Sequence, residues 1–208
     1  MGTSIRDHPT KARLLDAAAG VFARHGFRDA GVREICAAAG VNQASVNYHF
    51  GSKEGLYSAV LQDAYDRAGP GWPMPRLADS PDNPEHALRE WIRWFMERMF
   101  SEHHASRLLL HELRDPTPML GQLVDRSMRP VFEAVREIVC AITGQGPEDP
   151  FVVRSLASLF GQCTIYRTSR PLLEHMMPER HLDDPKGAAI AAHIYAFTMA
   201  ALKAEADR

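Results

Sequence analysis

Six side chains within an eleven-residue stretch, Gln43, Ser45, Asn47, Tyr48, His49 and Lys53, are of the types that hydrogen-bond nucleic acid. An amide such as Gln43 carries the paired donor and acceptor that read a base edge, while hydroxyl and ammonium groups reach phosphate oxygens. A helix over residues 43–50 turns Val46 and Phe50 inward and leaves Gln43, Ala44, Ser45, Asn47, Tyr48 and His49 on the open face. Asn42 precedes it as an N-cap. Such a helix can enter a major groove and touch bases with its first residues. Lys53 follows Ser52, which is the N-cap of the next helix, and exposed N–H groups there favour a phosphate. The same spacing also fits an ordinary αα-hairpin, with Lys53 a surface lysine and Tyr48 and His49 a half-buried aromatic pair.

The elements that must hold this helix lie just upstream. Val32, Ile35 and Ala39 recur at three- and four-residue spacing, which predicts a helix over residues 32–39. Gly40 stops it, because glycine enters the left-handed conformation without steric cost, and Val41 is the buried turn residue. Before that, Thr10 caps a helix over residues 11–25 with Leu15, Ala18, Ala19 and Phe22 on its inner stripe, and Gly26 ends it. This helix braces the pair, giving a three-helix unit. Lys11 and Arg13 near its start either reach phosphates or stay solvated.

From Val41 to Tyr57 the sequence VNQASVNYHFGSKEGLY resembles the recognition helix and following turn of TetR-type repressors. It departs from that pattern at Asn42, Asn47 and Gly31, where serine, tyrosine and a Ser/Thr cap are usual. The resemblance implies an all-α protein with an N-terminal helix-turn-helix domain over residues 1–58 and an effector-binding and dimerisation domain over 59–208. It implies duplex DNA as partner, contacted by Asn42, Gln43, Ala44, Ser45, Asn47, Tyr48, His49 and Lys53. Tyr48 and Lys53 would position the protein on phosphates, and Gln43, Ala44, Ser45 and Asn47 would discriminate bases.

Composition fits that division. Of the 208 residues, 1–58 hold seven Lys/Arg against five Asp/Glu and 59–208 hold seventeen against twenty-one, so a mildly basic head precedes an acidic body. Cys36, Cys140 and Cys163 are odd in number and far apart, which reads as small core residues of a reduced cytoplasmic protein. Residues 1–10 are polar and lack an apolar core, so no signal peptide is expected.

Five prolines from Gly69 to Pro84 end the fourth helix, expected over residues 53–68, and separate head from body. Asn83 and Pro84 then open a fifth helix whose wide apolar face includes Leu88, Trp91, Trp94, Phe95, Met96 and Met99. These residues are either plain core or the wall of a pocket for a flat apolar or aromatic effector. Trp94, Phe95 and Met99 are the candidate walls, and His111, Gln162 and Tyr166 the candidate polar groups; Gln162 and Tyr166 share one helical face. Residues 119–143 read as one helix that Pro130 bends or divides.

The last two helices carry no charge between Ser155 and Tyr166 or across residues 187–202. Sixteen residues are too few to span a membrane, so a second chain is expected to cover them. The two from each chain would form a four-helix homodimer interface, with Ile194 and Phe197 inside it. The stretches HHASRLLLHELRDPTPML and GQCTIYRTSRPLLEHMMP also resemble the CecR-type subgroup. Together these features imply a ligand-released repressor on a near-palindromic operator, not an enzyme, with no cofactor. The alternative is a metal-dependent or hydrolytic helical enzyme using His103, His104, His111 or Cys163, although no catalytic or metal motif surrounds them.

Overall fold

The computed structural model describes residues 8–68, 73–101, 104–177, 184 and 187–206, and every regular element among them is helical. Helices α1 (Pro9–Asp29), α2 (Val32–Ala39), α3 (Ala44–Phe50) and α4 (Lys53–Ala68) come first, then a 3-10 turn at Leu77–Asp79 and α5 (Pro84–Phe100). They are followed by α6 (His104–Arg114), α7 (Leu120–Leu123), a π turn at Val124–Met128, and α8 (Arg129–Thr143). Last come α9 (Pro150–Thr168), α10 (Arg170–Met176) and α11 (Ala188–Ala206). Residues 1–7 of the expected tail, residues 69–72 of the expected break and His103 lie outside the described residues.

These helices form two compact units. One holds α1–α4 together with α6, α7 and the turn as far as Ser127; the other holds α5 and α8–α11. A single cut after residue 58 therefore does not trace the packing. Leu108 of α6 and Leu123 of α7 close the same core as Leu14, Leu15 and Phe22 of α1, Ile35 of α2, Val46 of α3, and Leu56 and Tyr57 of α4. Glu112 explains why α6 is held there. It is 1% exposed, and its carboxylate accepts from the Tyr57 hydroxyl at 2.8 Å and from the Thr117 N–H and hydroxyl at 3.1 and 2.9 Å. A buried carboxylate is tolerated only with its lone pairs filled, and here two helices and a turn must meet to fill them.

Two boundaries differ from those the sequence predicts. His8, not Thr10, caps α1: Pro9 takes the first helical position, and His8 Nδ1 accepts the Thr10 N–H at 3.2 Å. Gly26 does break the helical geometry, at φ 74° and ψ 178°, but the chain resumes helix as far as Asp29. The break accommodates His111, whose Nδ1 would lie 3.0 Å from any Cβ at Gly26. Gly40 behaves as predicted, left-handed at φ 63°, with its N–H on the Ala37 carbonyl. Pro130 does divide its helix, standing in the first turn of α8 directly after the π turn.

In the second unit α5 packs against α8, α9 and α11 around Leu88, Trp91, Ile92 and Met96, none of them measurably exposed. Each such side chain contributes about 1.5–3 kcal/mol on burial. Asn83 caps α5 as predicted, accepting from the His86 N–H at 3.0 Å. Ile194, expected between two chains, is 0% exposed in its own core. The apolar surface of α11 is split instead, with Ile190, Ile194 and Leu202 inward and Ala189, Ala192, Ala196, Phe197 and Ala200 outward.

Candidate nucleic-acid interface

Seven residues form α3, and Val46 is the one buried among them. Asn42 caps it as expected, its amide oxygen accepting from the Ser45 N–H and the Ser45 hydroxyl, both at 3.1 Å. The two residues that carry the cap are thereby oriented, Asn42 exposed and Ser45 half-buried. Gln43, Ala44, Asn47 and Tyr48 are exposed, Tyr48 at 84%. An aromatic that open on a short helix has no role in its own core. Phe50 packs inward, and Gly51 at φ 76° turns the chain into α4, where Ser52 Oγ accepts the Gly55 N–H at 3.1 Å.

Lys53 is placed differently from a free phosphate hand. Its ammonium donates to the Arg28 carbonyl at 3.1 Å and sits 4.8 Å from the Phe27 ring centroid. A cation at the C-terminal turn of α1 meets unpaired carbonyls and stabilises that end by about 0.3–1 kcal/mol. Two further N–H donors stay available to a phosphate. His49 is half-buried, with the His8 and Tyr48 ring centroids each 4.9 Å from its own. Burial, then His8, then Lys11 push the His49 imidazole below its usual range.

The six residues predicted to hold an effector are not all gathered. Trp94, Phe95, Met99, Gln162 and Tyr166 belong to the second unit, but His111 belongs to the first, with Nε2 3.2 Å from the Ala23 carbonyl oxygen. It lines a polar cleft of about 300 Å³ with Arg24, Arg28, Tyr57 and Asp115. In the second unit an aromatic cluster is present. Trp91 stacks on Phe95 at 5.0 Å, Phe160 meets both edge-on at 5.7 and 5.5 Å, and Phe132 stacks on Phe160. Trp94 lies 6.4 Å from Trp91 and from Phe95 between ring centroids, Met99 is buried further along α5, and Gln162 and Tyr166 are half-buried on α9. The sequence reading missed Trp91 Nε1, a fully buried donor with no hydrogen-bond partner among the described residues. Its one signal was the i, i+4 spacing of Trp91 and Phe95.

Of the residues named for a helical enzyme, His104 is exposed, and burial pushes the Cys163 thiol up to about 12. Such a thiol is a poor nucleophile at neutral pH.

An exposed polar helix on a three-helix support, followed by a helical body, defines a helix-turn-helix DNA-binding regulator. Comparison with known proteins agrees. The family model for bacterial regulatory proteins of the tetR family matches residues 14–60. The model for the C-terminal domain of the HTH-type transcriptional dual regulator CecR matches residues 84–202. The CecR protein of Shigella flexneri is 27% identical over 178 residues, 80% of this chain and 79% of that one. The HTH-type transcriptional regulator RutR of Escherichia coli K12 is 30% identical over 144 residues, 67% of this chain and 66% of that one. Among solved structures, HlyIIR, a hemolysin II transcriptional regulator, has a TM-score of 0.62 at 21% identity, covering 88% of this chain and 96% of its own. A TetR-like transcriptional regulator from Rhodococcus sp. RHA1 has a TM-score of 0.62 at 18% identity, covering 95% and 96%. At these identities the structures show the shared fold. The chain belongs to the TetR family of transcriptional regulators and carries a CecR-type C-terminal domain. No described helix is long and apolar enough to cross a membrane.

Proposed function

We propose that this regulator is a cytoplasmic homodimeric repressor that holds a near-palindromic operator through α3 and leaves it when a small apolar or aromatic effector fills the second unit. The observation that carries the DNA reading is α3 with the residue before it: Gln43, Ala44, Asn47 and Tyr48 are open to solvent while Val46 alone of α3 is buried. In functional terms residues 1–58 supply DNA contact and 59–208 supply effector binding and dimerisation. Footprinting upstream of its own gene tests this, with protection expected as two symmetric half-sites about 34–36 Å or a multiple apart. Gln43→Ala should change the preferred base by about 1–3 kcal/mol. Lys53→Ala should weaken all sequences alike and flatten the salt dependence by about one unit. A single unsymmetrical half-site, or identical uniform losses in the two variants, would overturn these assignments.

The effector reading rests on the aromatic cluster around Trp91 and its unpaired indole N–H. A buried donor left unpaired costs about 1–3 kcal/mol, which an acceptor atom on a flat guest would offset. Trp94, Phe95, Met99, Gln162 and Tyr166 surround this reading, and His111 drops out of it. A thermal-shift screen of aromatic compounds, repeated on Trp94→Ala and Tyr166→Ala, should find hits that the variants lose. Those hits should also lower operator affinity, each tenfold loss corresponding to about 1.4 kcal/mol of coupling. Hits that leave DNA affinity unchanged would show binding without release.

A further inference from the structure

Basic groups from two helices converge at the end of α3, where the sequence reading placed His49 alone. His8, at the start of α1, brings its ring centroid to 4.9 Å from that of His49. Lys11, three residues further and so on the same helical face, sets its ammonium 5.7 Å from the Phe50 ring centroid. Tyr48 lies edge-on to His49 from the open side of α3. The head of α4, packed on α3, carries Lys53 and Glu54; Lys53 is held on the Arg28 carbonyl, and Glu54 is exposed. Two imidazoles and an ammonium thus share one patch at the edge of the recognition helix.

We propose that His8, Lys11 and His49 form a composite clamp for one DNA phosphate, and that closing the clamp puts a proton on His49. This rests on the operator-binding reading and adds to it His8 as a contact, the joint action of the three groups on one phosphate, and a coupling to pH. His8 Nδ1 accepts the Thr10 N–H, which leaves Nε2 as the ring nitrogen able to donate to a phosphate.

The sign follows from charge. In the free protein burial, then His8, then Lys11 hold the His49 imidazole below its usual range. A phosphate beside it favours the imidazolium and raises its pKa in the complex. Binding therefore takes up a proton between the free and bound values. Affinity falls as pH rises through that window, by up to about tenfold per pH unit, and is flat on either side.

A phosphate clamp does not read bases, so a fluorescent duplex of random sequence is a sufficient probe for the full chain. Anisotropy titrations at constant ionic strength, from about pH 5.5 to 8.5, should show the wild type weakening as pH rises. His49→Gln should bind with an affinity that no longer follows pH. His8→Asn keeps an N-cap while removing the ring, and should weaken binding about 2–10-fold at every pH. Lys11→Gln should weaken binding and reduce the slope of log affinity against log salt by about 0.9. Wild-type affinity independent of pH would overturn the proposal, as would a His49→Gln variant that keeps the wild-type slope. Wild-type affinity in both His8→Asn and Lys11→Gln would show that the clamp is not composite. Absence of binding at any pH would instead remove the DNA-binding reading itself.

Discussion

Gly55→Ala should abolish operator binding while leaving the second unit folded. A Cβ at position 55 would stand 2.0 Å from the Phe50 carbonyl oxygen, a backbone atom that cannot rotate away. Gly55 lies in the first turn of α4, and Phe50 ends α3, so the collision falls where the recognition helix seats on its neighbour. Relief requires α3 to move, taking Val46 and Phe50 out of the first core. Overpacking of this kind costs about 1–3 kcal/mol, and a backbone collision belongs at the upper end. Because base contacts depend on placement to a fraction of an ångström, a displaced α3 should lose DNA affinity beyond what the stability loss alone would produce. Calorimetry and operator titration on the same sample check both halves. Wild-type affinity in Gly55→Ala would mean that α3 and α4 do not pack as described.

Phe197→Glu should yield a folded monomer that no longer holds the operator. Phe197 is 62% exposed on α11, in line with Ala189, Ala192, Ala196 and Ala200, and α9 offers Val153 and Ile165 at 48% and 44%. Val153, Ala157, Gly161 and Ile165 recur every four residues, so the outward face of α9 is also a small-residue apolar stripe. Exposed apolar stripes on two helices are what a partner chain would cover. A carboxylate buried there without a partner costs about 3–5 kcal/mol. Losing the second half-site then removes the avidity of a linked pair, about 10²–10⁴-fold. Sedimentation should show a monomer with an unchanged helical spectrum. Ile194→Glu is the contrasting variant: its side chain faces the chain's own core, so it should unfold the bundle and report nothing about assembly. A dimeric Phe197→Glu would remove α11 from the interface.

Much of this was legible in the sequence wherever a local rule decides the outcome. Gly40 stops α2, Asn42 caps α3, Ser52 caps α4, Asn83 and Pro84 open α5, and Pro130 breaks a helix. Each does so because the relevant donor, acceptor or dihedral lies within a few residues of the side chain that supplies it. The open face of α3 was legible for the same reason, since a helical period of 3.6 turns Asn47 and Tyr48 away from Val46.

What periodicity cannot carry is the identity of the neighbour across a gap. Glu112 finds its partner in Tyr57, fifty-five residues away. His111 read as a cavity group, yet its imidazole fills the space left by the missing Cβ of Gly26. Lys53 read as a phosphate hand, and the turn that ends α1 claims part of it. Ile194 and Phe197 are three residues apart in the uncharged stretch 187–202, and only packing against α5, α8 and α9 turns the first inward and the second out. Sequence alone determined the stop at Gly40, the caps at Asn42, Ser52 and Asn83, and the free face of α3. The tertiary structure decided which polar groups pair and which apolar ones stay uncovered, because those depend on contacts between residues the chain brings together only when it folds.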